Sequence, residues 1–142
     1  MPSFGILKAD TLTHSTAGSL ATNYVVNGSA KSWANFTGSG TVSARDSLNI
    51  SSFTDNAVGD YTTTFSSAMN NSDYVNSSVA NCENDKDRGP YALGIRIDSG
   101  GVPTTHTTTA SRYEFLYGSS GSSNGGTQDM PHLYVTVHGD LA

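Results

Sequence analysis

The segment 132–138 alternates apolar and polar side chains without interruption, and this alternation constrains the fold more than any other feature of the chain. Leu133, Val135 and Val137 share one parity. The other parity carries polar or aromatic residues: His132, Tyr134, Thr136 and His138. Successive side chains of a β-strand point to opposite faces, so a period of two marks a strand with one buried face. The pattern predicts a well-buried C-terminal strand.

The same alternation recurs along the chain, separated by segments rich in Asn, Asp and Gly. The turn chemistry of residues 55–60 predicts that segment 41–52 pairs with segment 60–66. Ser, Thr, Asn and Gly supply 64 of the 142 residues, in place of the residues that fill surface helices. We therefore expect no helix. The fold class predicted is an all-β sandwich or jelly-roll-like domain of roughly eight short antiparallel strands, at 24–26, 30–36, 41–52, 60–66, 74–79, 93–97, 113–117 and 132–138.

The parity of each strand also predicts the core. The residues expected inside are Val42, Leu48, Ile50, Phe65, Leu93, Ile95, Ile97, Phe115, Leu133, Val135 and Val137. Asp46 lies on the apolar parity of its segment, where a carboxylate must be paired or must mark a break in the strand.

Charge and cysteine content exclude several classes of partner and site. Seven basic residues against twelve acidic ones give a net charge of −5, and the basic residues are scattered, so nucleic acid is not expected as a partner. Cys82 is the only cysteine, which rules out an intrachain disulfide. We find neither the pattern of a secretory signal nor about 18 consecutive apolar residues, and so expect no membrane insertion.

We divide the chain into an extended N-terminal anchoring arm with a first strand, residues 1–28, and a β-sandwich domain, residues 29–142. Residues 81–90 form a charged segment, and residues 118–129 are rich in Gly and Ser. Both are interpreted as surface loops, and such loops often carry binding residues. The candidates for an exposed contact loop are Ser119, Asn124, Gln128 and Asp129.

Catalysis and cofactor binding are not expected. Ser and Thr are too abundant for any one of them to stand out as a nucleophile, and no Gly-x-Ser-x-Gly nucleophile elbow is expected, because the one match to that spacing, at 121–125, lies in the Gly- and Ser-rich segment interpreted as a surface loop. His132 and His138 are about 20 Å apart along a strand, too far to share a metal within one chain. We interpret the polar face of the last strand and the apolar residues of the arm as a candidate assembly interface, formed by Phe4, Ile6, Leu7, Leu12, His132, Tyr134 and His138.

Residues 29–75 carry an ordered set of short elements. They are an aromatic strand, a Gly-rich turn, an Arg-Asp-Ser strand, a Thr-Asp-Asn turn, a Gly-Asp-Tyr strand and a methionine, at 33–36, 38–40, 45–47, 54–56, 59–61 and Met69. This order resembles small fibre-like virion proteins of tailed bacteriophages, especially marine ones. The opening at 7–12 and the ending at 137–142 are also similar to theirs. The resemblance covers about two thirds of the chain.

The resemblance implies a virion structural protein that assembles in the host cytoplasm. It implies a homotrimer that forms a small fibre or knob on the tail or head, in contact with capsid or tail proteins, with a possible role in attachment to a host-surface glycan. Two alternatives remain open, a capsid decoration protein and a carbohydrate-binding lectin-like module. A glycan-degrading tailspike would need a carboxylate-lined cleft and usually a longer solenoid.

Overall fold

The computed structural model describes residues 9–16, 18–81, 92–95, 104–117 and 126–142. Side chains of residues 14, 81, 92–95 and 117 are outside this description. The fold is all-β and sandwich-like, with several antiparallel sheets, as the alternation predicted. Its elements are β1 Thr11–His14, β2 Gly18–Ala21, α1 Thr22–Gly28, β3 Ser32–Thr37, β4 Ser43–Leu48, β5 Ile50–Ala57, β6 Asp60–Phe65, β7 Val75–Asn81, β8 Ala92–Ile95, β9 Ala110–Tyr117, β10 Gly126–Thr127 and β11 His132–His138.

One sheet has four strands in the order β4, β3, β11, β7. Strand β11 lies inside it, with β3 along one edge and β7 along the other. Leu133, Val135 and Val137 are at most 2% exposed, whereas Tyr134 is 37% exposed. The predicted parity of the C-terminal strand is therefore confirmed.

The other sheet has five strands, in the order β10, β9, β6, β5, with β8 also paired to β9. Its buried face includes Tyr61, Thr63 and Phe65 from β6, of which the predicted core contained Phe65. The two sheets meet through their aromatic side chains. The Phe36 ring of β3 packs edge-on against Tyr61, with ring centroids 5.8 Å apart.

The predicted strand at 41–52 is in fact two strands that belong to different sheets. Strand β4 pairs with β3, and only β5 pairs with β6. Asn49 joins them with φ 57°, a left-handed conformation that Asn tolerates better than most residues. Its side-chain amide is fixed by Ser67, because Asn49 Nδ2 donates to the Ser67 carbonyl and Oδ1 accepts from its N–H. Leu48 consequently faces away from the core and is 47% exposed, which corrects its predicted burial.

Of the two alternatives for Asp46, a paired carboxylate or a break in the strand, the structure shows a break in the form of a β-bulge. Asn35 pairs with Asp46 while Phe36 pairs with Ala44, so Arg45 is the extra residue. Asp46 is exposed, and its carboxylate accepts a hydrogen bond from the N–H of Ser47 at 2.9 Å.

Aromatic and sulfur-containing side chains make up more of the core than the alternation predicted. Of the predicted core residues, Phe65, Phe115, Leu133, Val135 and Val137 are buried, and Val42 and Ile50 are partly buried. The side chains of Leu93 and Ile95, and all of Ile97, lie outside the described residues. The buried apolar residues that were not predicted are Ala34, Phe36, Tyr61, Met69, Tyr74, Ala110, Tyr113 and Met130.

The N-terminal segment differs from the extended arm expected from the sequence. Strands β1 and β2 form a two-stranded sheet of their own, and residues 22–28, where a strand was expected at 24–26, form α1. Thr22 ties the helix to the hairpin, because its N–H donates to the Asp10 carbonyl and its hydroxyl to the Ala9 carbonyl. A three-residue Tyr-Val-Val run fits either secondary structure, so local pattern could not decide between them. We call residues 9–28 the hairpin–helix unit.

Candidate functional site

The outer face of the four-stranded sheet carries the largest group of exposed aromatic and apolar side chains on the described part of the sandwich. Cross-strand pairing sets Trp33 opposite both Leu48 and Thr136, and Tyr134 opposite both Asn35 and Val79. Residues directly opposite one another share a face. We call this surface the aromatic face, formed by Trp33, Asn35, Leu48, Val75, Ser77, Val79, His132, Tyr134, Thr136 and His138.

Several of these side chains are open to solvent. Val75 is 65% exposed, Val79 56% and Leu48 47%. Beside Tyr134 the surface forms a shallow hollow of about 260 Å³, lined by Ser77, Ser78, Val79, Tyr134 and Thr136. Apolar groups held on a rigid sheet in this way are typical of contact surfaces.

The residues predicted to form an assembly interface fall in three places. His132, Tyr134 and His138 lie together on the aromatic face, opposite Asn81, Val79 and Val75 of β7. Leu12 lies in the hairpin and is 42% exposed. Phe4, Ile6 and Leu7 lie outside the described residues.

The outer face of the five-stranded sheet is polar by contrast. Arg112 donates two hydrogen bonds to the carboxylate of Asp60, from Nε at 2.8 Å and from a terminal nitrogen at 2.7 Å. The hydrogen bonds to Asp60 raise the pKa of Arg112. Asn56 completes the cluster by donating to Asp60 and to the hydroxyl of Thr62. Its charges therefore compensate each other, and this face offers no comparable apolar surface among the described residues.

The C-terminal end of the predicted contact loop is hydrogen-bonded to the sandwich. The carboxylate of Asp129 accepts hydrogen bonds from the Tyr61 hydroxyl at 2.6 Å and from the Gly59 N–H at 2.7 Å. The backbone N–H of Gln128 donates to the Phe115 carbonyl. Both residues are half-buried, which corrects their expected exposure. Ser119 and Asn124, like the segment 82–90, lie outside the described residues.

The environment of Tyr61 also shifts its pKa. Desolvation and the hydrogen bond to Asp129 both raise the pKa of Tyr61, since each favours the neutral phenol. Sequence reasoning missed this contact because the partners are far apart in the chain. Neither the turn pattern at 55–60 nor the Gly-Asp-Tyr motif at 59–61 indicates a contact with Asp129.

Ser111 and His106 lie close together beside Tyr74. The Nδ1 atom of His106 is 3.4 Å from the Ser111 hydroxyl, and its ring lies 4.1 Å from the Tyr74 ring, centroid to centroid. Burial lowers the pKa of His106. Ser111 is 0% exposed, so in this arrangement a substrate has no access to its hydroxyl. The cluster is therefore a packing arrangement, in which Tyr74 also donates to the carbonyls of Thr107 and Ala110.

Among the described residues, no group of three or more His, Cys, Asp or Glu side chains is placed to hold a metal ion. Within the same residues there is no helix that is long and apolar enough to span a membrane. Comparisons of the chain with family models, with curated proteins and with solved structures found no match.

Proposed function

We propose that this chain is a structural protein of a tailed-phage virion. It forms a small trimeric knob on the particle surface, attached to another virion protein through its N-terminal region and able to contact the host. The proposed attachment through the N-terminal region is the same for a fibre and for a capsid decoration protein. It applies equally to a position on the head and to one on the tail. The sequence resemblance motivates the proposal, and the physical support is the surface chemistry of two parts of the chain.

The observation that carries the proposal is the hairpin–helix unit. None of the residues of α1 is buried. Tyr24 is 67% exposed, Val26 58% and Leu20 47%. A short element with its apolar side chains in water gains little from packing, whereas it gains stability when a partner covers those side chains. This supports attachment through the N-terminal region.

The aromatic face supports contact between copies. It is rich in apolar groups, none of the residues that define it is an Asp, Glu, Lys or Arg, and its titratable side chains are His132, Tyr134 and His138. Aromatic residues are enriched and charged residues depleted at the centre of interfaces between subunits. A homotrimer built on this face would leave the polar face of the five-stranded sheet toward solvent.

Attachment is tested by comparing two valines of matched exposure. Val26 in α1 is 58% exposed and Val58 in the turn between β5 and β6 is 57% exposed. Tagged Val26→Asn and Val58→Asn proteins are expressed in infected cells, and the tag is measured in purified particles. We expect loss of incorporation for Val26→Asn and normal incorporation for Val58→Asn. Equal incorporation of both would contradict attachment through the unit.

Assembly is tested by multi-angle light scattering of the full chain at micromolar concentration. We expect a trimer for the natural sequence and a smaller species for Tyr134→Lys, which places a charge on the aromatic face. Thr54→Lys, a change at an exposed position of β5, serves as the control and should stay trimeric. A monomeric natural chain would rule out the homotrimer.

A further inference from the structure

A cavity of about 530 Å³ opens at one end of the sandwich. Its wall is contributed by four parts of the chain: the residues before β3, the corner between β4 and β5, the segment after β6, and the C-terminal segment. The lining residues are Ser29, Ala30, Lys31, Leu48, Asn49, Ser66, Ser67 and Leu141. Its volume lies within the range of about 300–1,000 Å³ found for small-molecule sites.

Lys31 is the unusual residue of this cavity. It is only 9% exposed, and lysine is among the residues least often buried. Its ammonium group donates to the Val26 carbonyl and, at 3.1 Å, to the Ser29 hydroxyl. Neither acceptor carries a full charge, and no carboxylate pairs with Lys31 within the part of the chain that the structure describes.

A buried cation without a counter-charge is costly, because the free energy of hydration is lost without an equal gain. The Val26 carbonyl belongs to the last turn of α1, whose dipole supplies only part of a negative charge. An ammonium group has three N–H donors, and the acceptors above use two. An anion in the adjacent cavity would both occupy the third donor and complete the charge.

The rest of the cavity suits a ligand with hydroxyl groups. The hydroxyls of Ser66 and Ser67 make no hydrogen bonds within the described residues, since Ser67 contacts Asn49 through its backbone. Leu48 and Leu141 add apolar surface that is 47% and 45% exposed. The lining therefore combines one cation, free hydroxyls and apolar carbons.

We propose that this cavity binds a sugar acid. The carboxylate accepts a hydrogen bond from Lys31, the ring hydroxyls bond to Ser66 and Ser67, and the C–H groups of the ring pack on Leu48 and Leu141. The anion preference rests on the geometry alone. The choice of a sugar as the carrier of the carboxylate rests on the proposed function, in which the protein contacts a host surface.

The test titrates the isotope-labelled full chain with sodium glucuronate, glucose or sodium acetate at constant ionic strength, followed by amide chemical shifts. We expect saturable shifts at Lys31, Ser66 and Ser67 with glucuronate, and none with glucose. Acetate should bind about tenfold more weakly, as the hydroxyl contacts are absent. No saturable shift with glucuronate would overturn the proposal, and equal affinity for acetate would overturn the sugar assignment.

Three variants locate the site. Lys31→Met keeps the aliphatic stem and removes the charge, and Ser67→Asp keeps Lys31 but puts a carboxylate into the cavity wall. Each should weaken glucuronate binding by about tenfold or more, the loss expected for one hydrogen bond to a charged group. Arg45→Met is the control. It removes a positive charge from β4, beside the C-terminal half of β3, where Arg45 donates to the Pro131 carbonyl. This variant should bind glucuronate with an affinity within about twofold of that of the natural chain.

Unchanged binding by Lys31→Met would refute the site. If Lys31→Met fails to fold, unchanged binding by folded Ser67→Asp would refute it equally. Because these titrations use purified protein, their outcome is independent of incorporation into particles. A chain that binds glucuronate but does not join particles would sustain this proposal and contradict the virion assignment.

Discussion

Replacing Asp129 with alanine should destabilise the sandwich strongly, although the residue closes a segment whose composition is that of a surface loop. Its carboxylate accepts two short hydrogen bonds, from the Tyr61 hydroxyl at 2.6 Å and from the Gly59 N–H at 2.7 Å. Tyr61 is 0% exposed and Gly59 is buried, so neither donor can turn to water instead.

The magnitude follows from these two bonds. A hydrogen bond to a charged group contributes about 1.5–3 kcal/mol, and a buried donor left without an acceptor costs a similar amount. The Tyr61 hydroxyl retains one alternative, the Gly38 carbonyl at 3.1 Å. We therefore expect Asp129→Ala to lower the free energy of unfolding by about 3–5 kcal/mol. Tyr61→Phe, which keeps the ring in the core, should cost about 1.5–3 kcal/mol.

Urea unfolding of both single variants and of the double variant measures the contact directly. The double-mutant cycle should give a coupling of about 1–2 kcal/mol between residues 61 and 129. Asp140→Ala is the control, because Asp140 is exposed and should change the free energy of unfolding by less than about 0.5 kcal/mol. If Asp129→Ala costs no more than Asp140→Ala, the carboxylate is solvated and the argument from its contacts is wrong.

Three further outcomes are expected. Burial raises the pKa of Tyr74 to about 12, so the unfolded chain releases this proton first and the free energy of unfolding should fall as the pH rises from 10 toward 12, measured by urea titration at each pH. Burial lowers the pKa of His106, so unfolding takes up a proton at low pH: stability should decrease as the pH falls below about 6.5, and His106→Gln should lose this part of the dependence. Val135→Asp should lower the free energy of unfolding by several kcal/mol, about the cost of burying an unpaired charge; an unchanged thermal unfolding profile would refute the parity of the strand.

Period-two alternation predicted the strands correctly where a continuous strand buries one face and exposes the other. Strand β11 is the clearest case, because Leu133, Val135 and Val137 all pack inward between two neighbouring strands. The pattern failed at Asn49, where the chain changes sheets. Alternation describes a face relative to the strand and carries no information on which sheet the strand joins. In such a pattern, a left-handed Asn that breaks the strand is indistinguishable from any other polar position.

For the candidate surfaces too, features within one strand could be predicted from the sequence, and contacts between distant segments could not. The shared face of His132, Tyr134 and His138 could be predicted from parity within one strand. The hydrogen bond between Asp129 and Tyr61 could not be predicted, and neither could the cavity that Lys31, Ser66 and Ser67 line together, because both depend on how distant segments meet. No sequence pattern indicated that Lys31 is buried. It is a single basic residue before a strand, and such a residue is ordinarily exposed to solvent.

An electron cryomicroscopy map of the intact phage particle, at a resolution sufficient to trace strands, tests the central claim most directly. The claim predicts three copies of the sandwich around one axis, with the hairpin–helix unit of each copy against another virion protein and the polar face of the five-stranded sheet toward solvent. A map of particles that contain the chain but hold it by the sandwich, with the hairpin–helix unit free in solvent, would contradict the claim. So would particles from which the chain is absent.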